Sequence, residues 1–157
     1  MKKNFLKIIV LLILFLIILF AFSMFLISKK EHSKKQQSQV CFRNHCFEVE
    51  LAVDRDEKIK GLMFREDLNR DKGMLFVYNK EDVYPFWMKN MKFPIDIIWI
   101  NKEKEVVFIS PEAEPCSEEE CSIIDPETKA KYVLEIKAGL SKEIGLKKGD
   151  KADIIIY

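Results

Sequence analysis

The sequence predicts a mainly β domain behind an apolar N-terminal helix. The β domain is expected to be a compact antiparallel sandwich or barrel of about eight short strands with one or two short helices. Three observations lead there. The apolar runs at 61–66, 73–78, 86–91 and 94–100 are short, aromatic and broken by Gly or Pro, which suits strands better than long helices. Phe47, Val49, Leu51 and Val53 alternate with Glu48 and Glu50, the period of a half-buried strand. Residues 8–27 carry no charge, and Ser23 is their only clearly polar member.

At a helical rise of about 1.5 Å per residue, such a run spans roughly 30 Å, the thickness of a bilayer core. Residues 1–28 are therefore expected to be a transmembrane anchor or a long signal segment. Ala21-Phe22-Ser23 offers a small-x-small cleavage pattern, and no Cys lies near the end of the run. Lysines flank both ends, Lys2, Lys3 and Lys7 before and Lys29, Lys30, Lys34 and Lys35 after, so charge alone does not orient the segment. Residues 29–38 read as a basic polar tether, and 39–157 as one domain, long enough for a single core.

Within that domain the elements follow in order. Residues 40–47 read as a hairpin with Asn44 in its turn. Asp54 followed by Glu57 forms a capping-box pattern ahead of Lys58-Ile59-Lys60 and Gly61, so one short helix is expected there. Strands are expected at 74–78, at 86–88 after the extended residue that Pro85 imposes, at 95–100, at 106–110, at 132–137 and at 152–157. Residues 79–82 read as a turn, 110–131 as a long irregular loop, and 141–144 as at most one helical turn.

The domain holds 19 Lys+Arg against 24 Asp+Glu, a formal charge of −5, although the whole chain sums to +1. A mildly acidic domain without a basic stripe argues against nucleic-acid binding. The sequence contains no Gly-x-Ser-x-Gly and no phosphate-cradling Gly-rich loop.

The ordered motifs Gly61-Leu-Met-x-Arg65, Gly73-Met-Leu-Phe76, Phe86-Trp-Met-x-Asn90, Pro94-Ile-Asp96, Pro115-Cys116, Tyr132-Val-Leu-Glu135, Gly139 and Gly149-Asp150 resemble the bacterial and archaeal family called domain of unknown function 192. The resemblance runs from about residue 40 to the C-terminus. It implies a compact, mainly β fold, often exported, and brings no established activity. Two positions depart from the usual pattern. Met91 stands where Thr is usual, which removes a hydroxyl, and Ile95 stands where Leu is usual.

Both cysteine pairs have the spacing Cys-x4-Cys. Downstream of an export segment, this reads as disulfides Cys41–Cys46 and Cys116–Cys121, because each short loop closes cheaply. A zinc site using all four thiolates is the alternative, but His45 is the only His in the domain. No cofactor and no metal are expected.

The polar residues set among the apolar motifs are the candidate site: Arg65, Trp87, Asn90, Asp96 and Glu135. Asp96 shares a strand face with Ile98 and Ile100, so it is expected to be desolvated and to need a partner. Arg65 is the natural one, through a two-point guanidinium–carboxylate contact. The plain reading of this set is internal ion pairing. The functional reading is a small polar pocket in an aromatic setting. The acidic run at Glu112, Glu114, Glu118, Glu119 and Glu120 has no fixed ligand spacing and reads as a solvated loop.

The function expected is a membrane-anchored extracytoplasmic domain that binds a ligand or partner without catalysis. The domain would be secreted if the N-terminal segment is cut. Its partners would be the membrane, through residues 8–27, and a small ligand, a glycan or an envelope protein. Two alternatives stay open: a glycan hydrolase using Asp96 and Glu135, and a structural module of an envelope complex.

Overall fold

The computed structural model describes residues 7, 12–24, 36–116 and 121–157. The chain divides into two units, Met1–Gln36 and Gln37–Tyr157. In the first unit, residues 12–24 are helical. Among the described residues no helix is long and apolar enough to cross a membrane. The remainder of the apolar run, 8–11 and 25–27, and tether residues 29–35 lie outside the described residues, as does the acidic stretch 117–120.

The second unit is mainly β. Its strands are β1 (Gln39–Phe42), β2 (His45–Ala52), β3 (Lys72–Asp82), β4 (Ile95–Ile100), β5 (Val106–Ala113), β6 (Ala130–Lys137) and β7 (Asp153–Ile155). Two short helices interrupt them, α1 (Arg55–Lys60) and α2 (Leu140–Glu143). The strands form one seven-stranded sheet in the order β5-β4-β6-β3-β2-β1-β7, curled into a half-barrel. Backbone bonds draw its two ends together, from Val106 to Asp150 (2.8–2.9 Å through the pairs Gly149–Val106 and Val106–Asp150) and from Ala152 to Lys104 (2.8 Å).

The sheet corrects the antiparallel expectation. β2 and β3 pair in parallel, from Glu48↔Lys72 to Ala52↔Phe76, while the other neighbours are antiparallel. A parallel pair needs a crossover, and α1 with the segment after it supplies one. The expected capping box forms at its start. Asp54 accepts from the Glu57 amide (2.8 Å), and Glu57 accepts from the Asp54 amide (3.1 Å).

Three further expectations are corrected. Residues 79–82 continue β3 across an irregularity instead of turning. Residues 86–88 are not a sheet strand. Proline lacks an amide proton and cannot extend a ladder, and after Pro85 the chain makes only isolated bridges, Phe86↔Ile124 and Lys89↔Cys116. Part of the long loop is strand, since β5 runs on to Ala113.

Both faces of the sheet are covered. One face packs Met74, Phe76, Ile95, Ile97, Trp99 and Val133 beneath Leu62, Met88, Met91 and Phe93. The other packs Val40, Phe47, Leu75, Ile98, Leu134, Ile136 and Ile154. All six residues of β4 are buried, as expected of a central strand covered on both sides. Both disulfides are closed as expected, Cys41–Cys46 across the β1–β2 ladder and Cys116–Cys121 in the loop before β6.

Candidate functional site

The β2–α1–β3 crossover lays α1 and Gly61 over the first face, above β3 and β6. β6 brings Glu135 to that face, because Glu135 stands opposite Met74 on β3 and opposite Ile97 on β4. Directly opposed residues share a face. Gly73 permits this approach, since a Cβ there would lie 2.7 Å from the Glu135 carbonyl oxygen.

A cavity of about 90 Å³ opens between the crossover and the 85–91 segment. Phe76, Tyr78 and Glu135 line it from the sheet; Gly61, Leu62 and Met63 from the crossover; Phe86, Trp87 and Met91 from the opposite side. Lys58 and Lys60 also line it, from α1. Glu135 is only 5% exposed. Its Oε2 is buried and has no hydrogen-bond partner among the described residues. Burial pushes the Glu135 carboxyl up to about 8, and the Arg65 charge pulls it partly back. Burial also raises the Tyr78 phenol.

Gly61 shapes the access to that carboxyl. It takes a positive φ of 46° at the C-terminus of α1, which glycine adopts without a steric penalty. A Cβ there would sit 3.1 Å from the Phe76 ring and 3.7 Å from Glu135 Oε2.

The aromatics divide into core and rim. Trp99 is fully buried, and its indole N–H donates to the Tyr84 carbonyl (2.8 Å). Phe86 meets Phe76 and Trp99 edge-on at 4.9 and 5.6 Å between centroids. Trp87 is 47% exposed and stands at the cavity rim.

The expected Arg65–Asp96 pair does not form. Arg65 holds Glu50 of β2 through both guanidinium nitrogens, at 2.5 and 2.7 Å. Asp96, fully buried on the other face, accepts instead from three backbone amides. These are Glu112 (2.8 Å) and Gly139 (2.9 Å) on Oδ1, and Ser141 (2.7 Å) on Oδ2. Asp96 therefore ties β5 and the start of α2 to β4. Asp96 and Glu135 leave the sheet on opposite faces and share no cavity. Asn90 adopts a left-handed φ of 58°, which asparagine tolerates, and its carbonyl accepts from the Phe64 amide (2.9 Å). It fastens the 86–91 segment to the crossover beside the cavity.

Of the five candidate residues, Glu135 and Trp87 line the cavity, Arg65 acts on Glu135 by its charge, Asn90 holds the wall, and Asp96 belongs elsewhere. Sequence reasoning missed Gly61, Phe76, Tyr78 and Lys58 as lining residues. Phe76 and Tyr78 were within reach, since they share the face of Met74 by strand alternation.

Residues 37–154 match the family model of domain of unknown function 192, described as "Uncharacterized ACR". The chain belongs to this family. Two solved structures are similar to it. One is a protein of Sinorhizobium meliloti 1021, proposed to be a transcription regulator, at 35% identity and a TM-score of 0.70, covering 76% of this chain and 94% of that one. The other is a protein of unknown function from Novosphingobium aromaticivorans DSM 12444, at 36% identity and a TM-score of 0.67, covering 74% of this chain and 83% of that one. The comparison with curated proteins finds no match. In this member of the domain of unknown function 192 family, Met91 contributes to the cavity wall.

Proposed function

We propose that the domain binds a small ligand in the Glu135 cavity and does not catalyse a reaction on it. The observation that carries this reading is a buried carboxyl oxygen that has no hydrogen-bond partner among the described residues, at the floor of an aromatic-walled cavity. Leaving a buried polar atom unsatisfied costs about 1–3 kcal/mol, and a ligand atom bonded to Oε2 removes that cost. The binding reading is preferred to the hydrolase because Glu135 is the only acidic residue among the described ones lining the cavity, whereas carboxylate-pair hydrolysis needs two.

The domain is proposed to sit outside the cytoplasm, held at the membrane by the N-terminal segment. Support comes from the uncharged run at 8–27, the exposed apolar side chains of Leu16, Ile18 and Phe20, and the two closed disulfides, which persist in oxidising compartments. Nucleic acid is not proposed as a partner, because the 39–157 charge is −5.

The test is a fragment screen by NMR on the full chain in detergent micelles, repeated on Glu135→Gln. Fragments that shift resonances of cavity residues in the wild type and lose that effect in the variant support the reading. A screen with no fragment sensitive to Glu135 overturns it. Protease accessibility of the domain in intact cells and in lysed cells tests the location.

A further inference from the structure

The charges lining the cavity are sorted by depth. Glu135, the only acid among the described lining residues, is buried at the floor. The bases among the described lining residues, Lys58 and Lys60, come from α1; the Lys58 ammonium donates one bond to the Val53 carbonyl and keeps its other protons, and Lys60 is exposed to solvent. Arg65 is not available at the floor, because both its terminal nitrogens are bound to Glu50. Phe76, Tyr78 and Phe86 also line the cavity, and Trp87 stands at its rim. Aromatic faces attract cations, and the Lys58 ammonium already lies 4.9 Å from the centre of the Tyr78 ring.

We propose that the ligand is a small zwitterion of amino-acid type, its ammonium group directed inward to Glu135 and its carboxylate held at the mouth by Lys58 and Lys60. The proposal rests on the binding reading above and names its ligand class.

Each half of the ligand answers one part of the wall. An ammonium donates to the unpartnered Oε2 and meets the aromatic faces, converting the least satisfied atom of the cavity into a charge-assisted hydrogen bond. A simple anion would place its charge against the negative faces of the rings and, above about pH 8, against the ionised Glu135 carboxylate. A simple amine would enter past two lysines with nothing to offset their repulsion. Size sets the upper limit. About 10–15 Å³ of such space holds one water, so 90 Å³ has room for several heavy atoms, and the smallest amino acid is the first probe. Gly61 keeps this space open beside Oε2, at the point where a Cβ would stand 3.7 Å away.

The test titrates the full chain in detergent micelles with glycine, methylamine and acetate above pH 8, where Glu135 is ionised, following NMR resonances of the cavity residues. Glycine is expected to bind about tenfold or more tightly than either half-ligand, a difference of roughly 1.4 kcal/mol. Lys60→Ala, at an exposed position, should move the glycine affinity toward that of methylamine. Glu135→Gln should remove methylamine binding. Acetate binding as tightly as glycine, or a glycine affinity unmoved by both variants, overturns the zwitterion while Glu135-sensitive fragments keep the binding reading intact. If neither these three probes nor any fragment responds to Glu135→Gln, the binding reading falls and the zwitterion falls with it.

Discussion

Asp96 and Glu135 stand on neighbouring strands, β4 and β6, yet their carboxyl groups leave the sheet on opposite faces. The register explains this. Ile97 is opposite Glu135 and Asp96 is opposite Ile136, and successive side chains on a strand alternate. The two buried acids therefore have different work. One is saturated by backbone amides, and the other is left with an open oxygen facing a cavity.

Asp96 should behave as a structural fastener. Asp96→Ala removes the acceptor for the amides of Glu112, Gly139 and Ser141. The expected loss is about 3 kcal/mol, because one buried and two part-buried amide donors lose their acceptor. Asp96→Asn keeps one accepting oxygen and should lose less. Denaturant unfolding of both variants checks this. A change under about 1 kcal/mol for Asp96→Ala would mean that the three amides find other acceptors.

Glu135 should give the fold a pH dependence opposite to that of most carboxylates. Its ordinary value is 4.5, and in the folded chain it stands at about 8. Between those values the folded chain holds one proton more than the unfolded chain, so stability falls as pH rises and levels off above about 8. The slope is at most about 1.4 kcal/mol per pH unit. The charged and titratable groups nearest the cavity are Arg65, Lys58, Lys60 and Tyr78. Of these, Arg65 favours the ionised form, so Arg65→Ala should raise the carboxyl further. Unfolding at pH 5, 6, 7 and 8 should show the decline in the wild type and its loss in Glu135→Gln. Equal slopes in the two proteins would place the titration elsewhere.

The parts of the fold that the sequence made legible are local ones. Asp54 and Glu57 are three residues apart and cap α1 as their spacing requires. β4, apolar apart from Asp96, and the two short cysteine loops also follow from neighbours in the chain. What stayed hidden depends on pairing across the chain. Arg65 meets Glu50 instead of Asp96 because β2 and β3 run parallel, which no short pattern announces. The three amides on Asp96 come from residues 112, 139 and 141, delivered by a bulged β5 and by α2. The cavity was half-visible: Glu135 and Trp87 stood out as polar or exposed among apolar motifs, while Gly61 gave only the signal of a helix end.

The disulfides should each contribute through the unfolded chain. With cysteines five positions apart in both pairs, chain-entropy reasoning gives about 2 kcal/mol for each loop. Reduction of the intact chain should lower the melting temperature, and Cys41→Ser/Cys46→Ser or Cys116→Ser/Cys121→Ser should each account for part of the drop. The second pair adjoins the Lys89↔Cys116 bridge and the Phe86↔Ile124 bridge, so its loss should also disturb the resonances of Phe86 and Trp87. An unchanged melting temperature under full reduction would show that neither closure contributes.

Gly61 and Gly149 separate backbone strain from cavity filling. Both have positive φ, 46° and 91°. A Cβ at Gly149 meets nothing within 4 Å, whereas at Gly61 it meets the Phe76 ring at 3.1 Å. Gly149→Ala should therefore cost only the conformational term, about 1 kcal/mol or slightly more. Gly61→Ala adds displacement of Phe76 and should cost about 1–2 kcal/mol beyond that. It should also weaken every probe that reaches Glu135, because the added methyl stands 3.7 Å from Oε2 and takes up space in the cavity wall. Denaturant unfolding supplies the first comparison and the glycine titration the second. Equal losses of stability in the two variants, with glycine binding unchanged in Gly61→Ala, would show that the space beside Gly61 is not the route to the buried carboxyl.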